Sequence, residues 1–231
     1  MGEFMIVCHE HKFIFVKTRK TAGTSIETAL SSFCGPSDVI TSLSSEDEEA
    51  RTKLGLRGMQ NIHVPMIRYS ISDIATLATL KRKRFYNHIL SSEVRRYLGQ
   101  KNYSKYFVFC VERNPYDRAV SQYFFKNRKF SEKPPMTEFF KTLSTPNMSN
   151  WDVYTHKNQI VVNKVLRYEN LEYELNEVGN FLGIKIDISL IHAKSHTRTD
   201  RRNYREVIDS ESRSIIEARC AREIKYFGYD W

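Results

Sequence analysis

The chain is 231 residues long and 41% hydrophobic, enough to bury one core of ordinary α/β size. Lys and Arg number 36 against 27 Asp and Glu, and the net charge of +9 points to an anionic partner such as a nucleotide, an acidic glycan or nucleic acid. Apolar runs such as Phe13 to Val16 fall far short of the roughly 20 residues of a membrane span, and no basic stretch leads into a signal-like segment, so a soluble, cytoplasmic protein without a membrane span is expected.

Met1 to Phe4 reads as a vector remnant ahead of a natural start at Met5, which makes residues 5–231 the expected domain. His11 to Lys17 is β-rich and leads through a Gly-containing turn into the helix-like stretch Ser25 to Phe33. Ser37 to Glu49 is polar and acidic and reads as a loop, and Ile71 to Arg84 as a helix with a basic end. Tyr106 to Val111 is a continuous apolar run of the kind buried in a parallel sheet. Asn114 and Pro115 then supply an N-cap and an N1 proline for a helix to Asn127. Pro134-Pro135 and Ser144 to Asn150 mark loops. Lys164 to Arg167 predicts a strand, Leu171 to Leu182 an amphipathic helix stopping at Gly183, and Ser210 to Tyr226 a last helix ending at Gly228. Strands alternating with helices predict a single α/β domain, a central, mostly parallel β-sheet flanked by helices, with its ligand at the carboxyl ends of the strands. Cys8, Cys34, Cys110 and Cys220 are scattered without a CxxC pair and are expected to be reduced thiols.

Between the first strand and helix lies Lys17-Thr18-Arg19-Lys20-Thr21-Ala22-Gly23-Thr24-Ser25, cations and hydroxyls placed where backbone N–H groups and a helix dipole favour an anion. A Walker A loop has its Lys after the glycines; here Lys20 precedes Gly23, which counts against an ATPase or a nucleotide kinase. A plainer reading has Thr24 cap the helix with Glu27 in a capping box. The order Lys-Thr-Ala-Gly-Thr-Ser nevertheless resembles the 5′-phosphosulfate loop of sulfotransferases that use 3′-phosphoadenosine-5′-phosphosulfate (PAPS), particularly the carbohydrate branch and its bacterial relatives. Val111-Glu112-Arg113-Asn114-Pro115-Tyr116-Asp117-Arg118-Ala119-Val120-Ser121 looks like the same family's 3′-phosphate element. There Arg113 would offer a bidentate fork and Ser121, about two helical turns on, a hydroxyl. Leu166 to Leu171 (LRYENL) and Phe227-Gly228-Tyr229 resemble the family more weakly, and Arg19 departs from it where many members carry Pro.

The resemblance implies a P-loop-like fold, PAPS as co-substrate with PAP as product, no metal, and transfer of a sulfuryl group to a hydroxyl of a glycan or other polyhydroxylated or anionic acceptor. Arg19, Lys20, Thr21, Ala22, Gly23, Thr24 and Ser25 would hold the 5′ side of the donor, with Lys20 as the catalytic cation. For the general base, His88, which opens a short helix some 25 residues before Arg113, is preferred over His63. Its ring is expected near the ordinary imidazole pKa of about 6.5. The basic stretch 194–205 contributes Arg198, Arg201 and Arg202 as candidates for the 3′-phosphate or adenine side; its plainer reading is a solvated face. A nucleic-acid-binding module, suggested by the net charge and by Lys81 to Tyr86 (KRKRFY), is the alternative of a different class.

Overall fold

The computed structural model describes residues 5–77, 82–86, 88–187 and 202–231. Two short strands open it, β1 (Met5–Cys8) and β2 (Phe13–Val16), paired antiparallel with Met5 opposite Val16 and Cys8 opposite Phe13. β3 (Val39–Ile40) adds antiparallel to β1, while β4 (Phe107–Glu112) lies parallel to β2. β5 (Thr155–His156) and β6 (Gln159–Ile160) form a separate hairpin, and β7 (Lys164–Arg167) runs parallel to β4. The five-stranded sheet therefore reads β3-β1-β2-β4-β7.

Thirteen α-helices and two short 3-10 turns (Met66–Arg68 and Tyr168–Asn170) among the described residues complete the fold: α1 (Gly23–Ser31), α2 (Ser45–Lys53), α3 (Ile71–Leu77), α4 (Ser91–Leu98), α5 (Gln100–Tyr103), α6 (Pro115–Lys126), α7 (Met136–Thr142), α8 (Thr145–Met148), α9 (Trp151–Tyr154), α10 (Leu171–Leu182), α11 (Tyr204–Val207), α12 (Ser210–Arg219) and α13 (Ala221–Phe227). Alternation along the strands sorts the core into two layers. Ile6, Cys8, Phe13, Phe15, Phe109 and Val111 pack against Ile26, Ala29 and Leu30 of α1 and Leu175 and Val178 of α10. Met5, Val7, Ile14, Val16, Val108 and Cys110 face Val94 and Tyr97 of α4, Trp151 and Tyr154 of α9, and Phe227 of α13. A third cluster joins α6, α7 and α12 through Val120, Phe140 and Ile216. Each buried aliphatic or aromatic side chain contributes about 1.5–3 kcal/mol in these layers.

Three parallel strands, β2, β4 and β7, all end at one edge of the sheet, so Lys17, Arg113 and Tyr168 emerge side by side there. Asn114 caps α6 as its sequence predicts, its side chain accepting from Tyr116 N at 3.0 Å, with Pro115 at N1. β7 and α10 match their predicted spans, and Gly183 closes α10 in the left-handed region at φ 68°.

Elsewhere the structure differs from the sequence expectation. β1 is an additional buried strand, and residues 37–49 carry β3 and the start of α2 instead of a loop. α2 has no apolar stripe; Ser44 caps it, Glu46, Asp47 and Glu48 fill its first turn and Arg51 and Lys53 its last, charges that suit the helix dipole. The helix at 71–84 is described only as α3, and Arg84 sits instead in an antiparallel bridge with His63. Thr145–Met148 is a helical turn where a loop was expected. The C-terminal helix is broken at Cys220 (φ −113°), whose buried sulfur lies 3.4 Å from Arg118, and Gly228 ends α13 at φ 64°. Among the described residues, no helix is long and apolar enough to cross a membrane.

Candidate active site

The loop from Lys17 to Ala22 is tied down at both sides. The Thr18 hydroxyl donates to Val111 O at the end of β4 and lies 2.9 Å from Thr21 Oγ1. Arg19 N donates to Asn150 Oδ1 at 2.9 Å while Asn150 Nδ2 donates to Arg19 O at 3.1 Å. Lys20 (φ 59°) and Ala22 (φ 57°) both adopt the left-handed region, as does His88 (φ 52°), so three of the residues singled out by sequence are held in a conformation that costs a non-glycine residue energy. Ala22 is the N-cap of α1, and the helix presents its free N–H groups at the loop.

The expected capping box does not form. α1 begins at Gly23, one residue ahead of Thr24, so Thr24 is inside the first turn and its hydroxyl accepts from Lys17 Nζ at 2.8 Å. Glu27 is fully buried and turns to the same ammonium at 3.7 Å. Burial pushes the Glu27 carboxyl up to about 7 in spite of Lys17 and Arg51 nearby. The Lys17 stem crosses Gly23 so closely that a Cβ there would meet it at 2.5 Å, which is the physical reason for glycine at this position.

Lys20 lies with its ammonium 3.9 Å from the centre of the Phe125 ring. Burial, then Arg113, Arg128, Lys17 and Lys126, lower its pKa to about 8, the signature of a cationic pocket. Arg113 donates to Lys20 O at 3.1 Å through Nη1 and to Asp117 through Nε (2.8 Å) and Nη2 (2.6 Å), with its guanidinium 4.2 Å from the Tyr168 ring centre. These bonds leave hydrogens on both terminal nitrogens for another acceptor. Ser121 is half-buried on the same helix. Thr21 is buried, as are Gly23 and Ser25.

His88 joins the loop directly: its Nδ1 lies 3.0 Å from Lys17 O. A carbonyl can only accept, so Nδ1 carries the proton and Nε2 keeps its lone pair. Loss of hydration, then the Arg19 charge, lower the ring's pKa to about 3, well below the ordinary value expected from the sequence. His63 is exposed on the bridge to Arg84. Arg202 is exposed just ahead of α11, and Arg198 and Arg201 lie outside the described residues.

Behind the loop is a buried polar network that the sequence did not reveal. Glu112 Oε1 accepts from Arg118 Nη1 (2.7 Å) and Arg113 N (2.9 Å), and Oε2 from Tyr154 OH (2.9 Å). Glu223 Oε1 accepts from Ser149 Oγ (2.6 Å), Asn150 N (3.0 Å) and Arg118 Nη2 (3.4 Å). The network thus ties the end of β4, the residue clamping the loop and the C-terminal helix α13 into one unit.

The family model for the sulfotransferase family matches residues 4–230. An uncharacterized protein of Archaeoglobus fulgidus is 29% identical over 120 residues, covering 50% of this chain and 96% of its own length. No solved structure matches. With nearly every residue matched by the family model, and a strand–loop–helix unit at the carboxyl edge of a P-loop-like sheet, the chain belongs to the sulfotransferase family.

Proposed function

We propose that the protein transfers a sulfuryl group from PAPS to a hydroxyl of a glycan or other polyhydroxylated acceptor, releasing PAP. The observation that carries this reading is the convergence of three side chains on one loop: Lys20 within it, Arg113 bonded to its backbone at 3.1 Å, and His88 bonded to it at 3.0 Å. The 5′ side of the donor fits the loop of residues 19–25 and the N-terminus of α1; the 3′-phosphate fits the free hydrogens of Arg113 with Ser121 beyond.

In the reaction His88 Nε2 takes the acceptor's proton as its oxygen attacks sulfur, and Lys20 stabilises the charge that develops on the phosphate oxygen as the S–O bond breaks. Burial keeps the imidazole neutral in the free protein, and the negative charge of the bound donor raises its basicity for the transfer. The fixed Nδ1–H bond to Lys17 O orients it, and Arg113 and Lys20 supply positive charge without reorganisation.

Radiolabelled PAPS incubated with an acceptor library tests the reading, together with thermal denaturation in the presence of PAP. Label transfer to a hydroxylated acceptor and a rise in melting temperature at micromolar PAP are expected. A chain that is stabilised by DNA or RNA with steep salt dependence, and not by PAP, would be a nucleic-acid-binding module instead.

A further inference from the structure

Cys8, at the end of β1, and Cys34, three residues beyond α1, are both buried, and with Asp38 their ligand-type atoms all lie within 4.8 Å of one another. The site is at the opposite end of α1 from the phosphate loop. Asp38 explains the approach of the two thiols: its Oδ1 accepts from His9 N and its Oδ2 from Gly35 N, each at 2.7 Å. These are the residues immediately after the two cysteines, so one carboxylate fastens both backbones and sets their side chains together.

We propose that Cys8 and Cys34 are a redox-modification site, a thiol pair that closes to a disulfide on meeting a low-molecular-weight disulfide. The donor set favours this chemistry over a metal. Both Asp38 oxygens are already engaged by backbone N–H groups, which leaves two sulfur ligands where structural zinc takes four. Cys34 reacts first on access: it sits in the turn between exposed Ser32 and exposed Pro36, whereas Cys8 is enclosed in the sheet. The hydrogen bond between the two thiols raises the pKa of Cys34 and lowers that of Cys8, so Cys34 attacks once the turn opens and that bond is broken. Its thiolate attacks one sulfur of the oxidant, forming a mixed disulfide and releasing one small thiol, which takes up the proton. The Cys8 thiolate then attacks Cys34 sulfur and expels the second small thiol, again with the proton. Two protein thiols are oxidised and the small disulfide is reduced to two thiols. The ring so closed contains β2, the phosphate loop and α1.

The test incubates the folded, fully reduced chain with oxidised glutathione and maps the cysteines by mass spectrometry after non-reducing digestion. A Cys8–Cys34 cross-link reversed by dithiothreitol is expected, with Cys110, inside β4, and Cys220, bonded to Arg118, left as thiols. Cys8→Ser should trap the glutathione adduct on Cys34, and Cys34→Ser should leave Cys8 unmodified. The wild-type chain carries the test if either variant fails to fold. Four free thiols after oxidation of the folded chain, a stable adduct with Cys8 still reduced, or one equivalent of zinc bound with loss of both thiols would each overturn the proposal.

Discussion

The side-chain amide of Asn150 meets both backbone groups of Arg19, accepting from the N–H at 2.9 Å and donating to the carbonyl at 3.1 Å. The pair imitates one rung of a β-ladder between residues 131 apart in sequence. It fixes the peptide immediately before Lys20, whose left-handed backbone has no glycine to ease it. Asn150→Ala leaves both groups short of a partner in a half-buried setting, an expected loss of about 1–3 kcal/mol in urea unfolding. PAP affinity should fall roughly tenfold through misplacement of Lys20. Calorimetry showing unchanged PAP binding in a folded Asn150→Ala protein would mean that the loop needs no such clamp.

Lys20→Ala and Arg113→Ala should each weaken PAP binding by about 1.5–3 kcal/mol, the range for charge-assisted hydrogen bonds. Arg113→Ala should matter much less for adenosine 5′-phosphosulfate, which has no 3′-phosphate. The pH dependence is a separate signature of Lys20. Its pKa is lowered to about 8, so the free protein loses this cation as pH rises through 8 and PAP affinity should decline there. Lys20→Arg should keep its charge and flatten that decline. Titration calorimetry at pH 7 and 9 distinguishes the two; identical pH profiles would remove Lys20 from the anion site.

Glu27 gives a stability prediction that is independent of the donor. Its carboxyl is raised from the ordinary 4.5 to about 7, chiefly by burial, so between these values the folded chain holds a proton that the unfolded chain releases. Stability from this group is therefore greatest at acid pH and is lost as pH rises through 7. Conversion of the shift gives on the order of 3 kcal/mol. Glu27→Gln lacks this term. The stability of the wild type relative to Glu27→Gln should fall by about that amount from pH 4.5 to pH 8 in urea unfolding, and parallel pH profiles would show that Glu27 titrates normally.

Legibility in the sequence followed the range of the interactions. The run Tyr106 to Val111, observed as β4 Phe107–Glu112, with Asn114-Pro115 behind it, and Leu171–Leu182 ending at Gly183, are set by local periodicity and caps, and their positions could be read to within a residue. The loop proposed to hold the donor was legible as a strand-to-helix connection for the same reason, being contiguous from Lys17 to Ser25. β1 was not, since Met5–Cys8 becomes a strand only through pairing with β2 and β3. Nor was the Glu112, Arg118, Asn150 and Glu223 network, whose members come from β4, α6, the α8–α9 connection and α13 and share no spacing. Thr24 and Glu27 have the spacing of a capping box, but a left-handed Ala22 starts α1 early and the buried Lys17 ammonium claims both side chains. A short-range signal was overridden there by the demand of a buried charge for partners.

His88 offers the last test, and its pH behaviour is as informative as its loss. His88→Ala should reduce kcat by roughly 10²- to 10⁴-fold, the usual contribution of a general base, while PAP affinity stays within a few-fold of wild type. His63→Ala, on an exposed bridge, should retain near-normal kcat. A lowered pKa means that the folded protein resists protonating this ring: His88 remains neutral as pH falls past 6.5 and takes up a proton only near 3. The wild-type kcat/KM, which reports the free protein, should therefore show no acid limb near pH 6.5 from this residue. Stability, conversely, should fall as pH drops from 6.5 toward 3, because the unfolded chain gains the proton first. A kcat/KM profile with a clear inflection near 6.5 that survives in His63→Ala would indicate that the ring is hydrated in the free protein. Full activity in His88→Ala with loss in His63→Ala would transfer the base to His63. Activity in both variants would instead direct attention to Glu27, the buried carboxylate whose raised pKa suits proton transfer near neutrality.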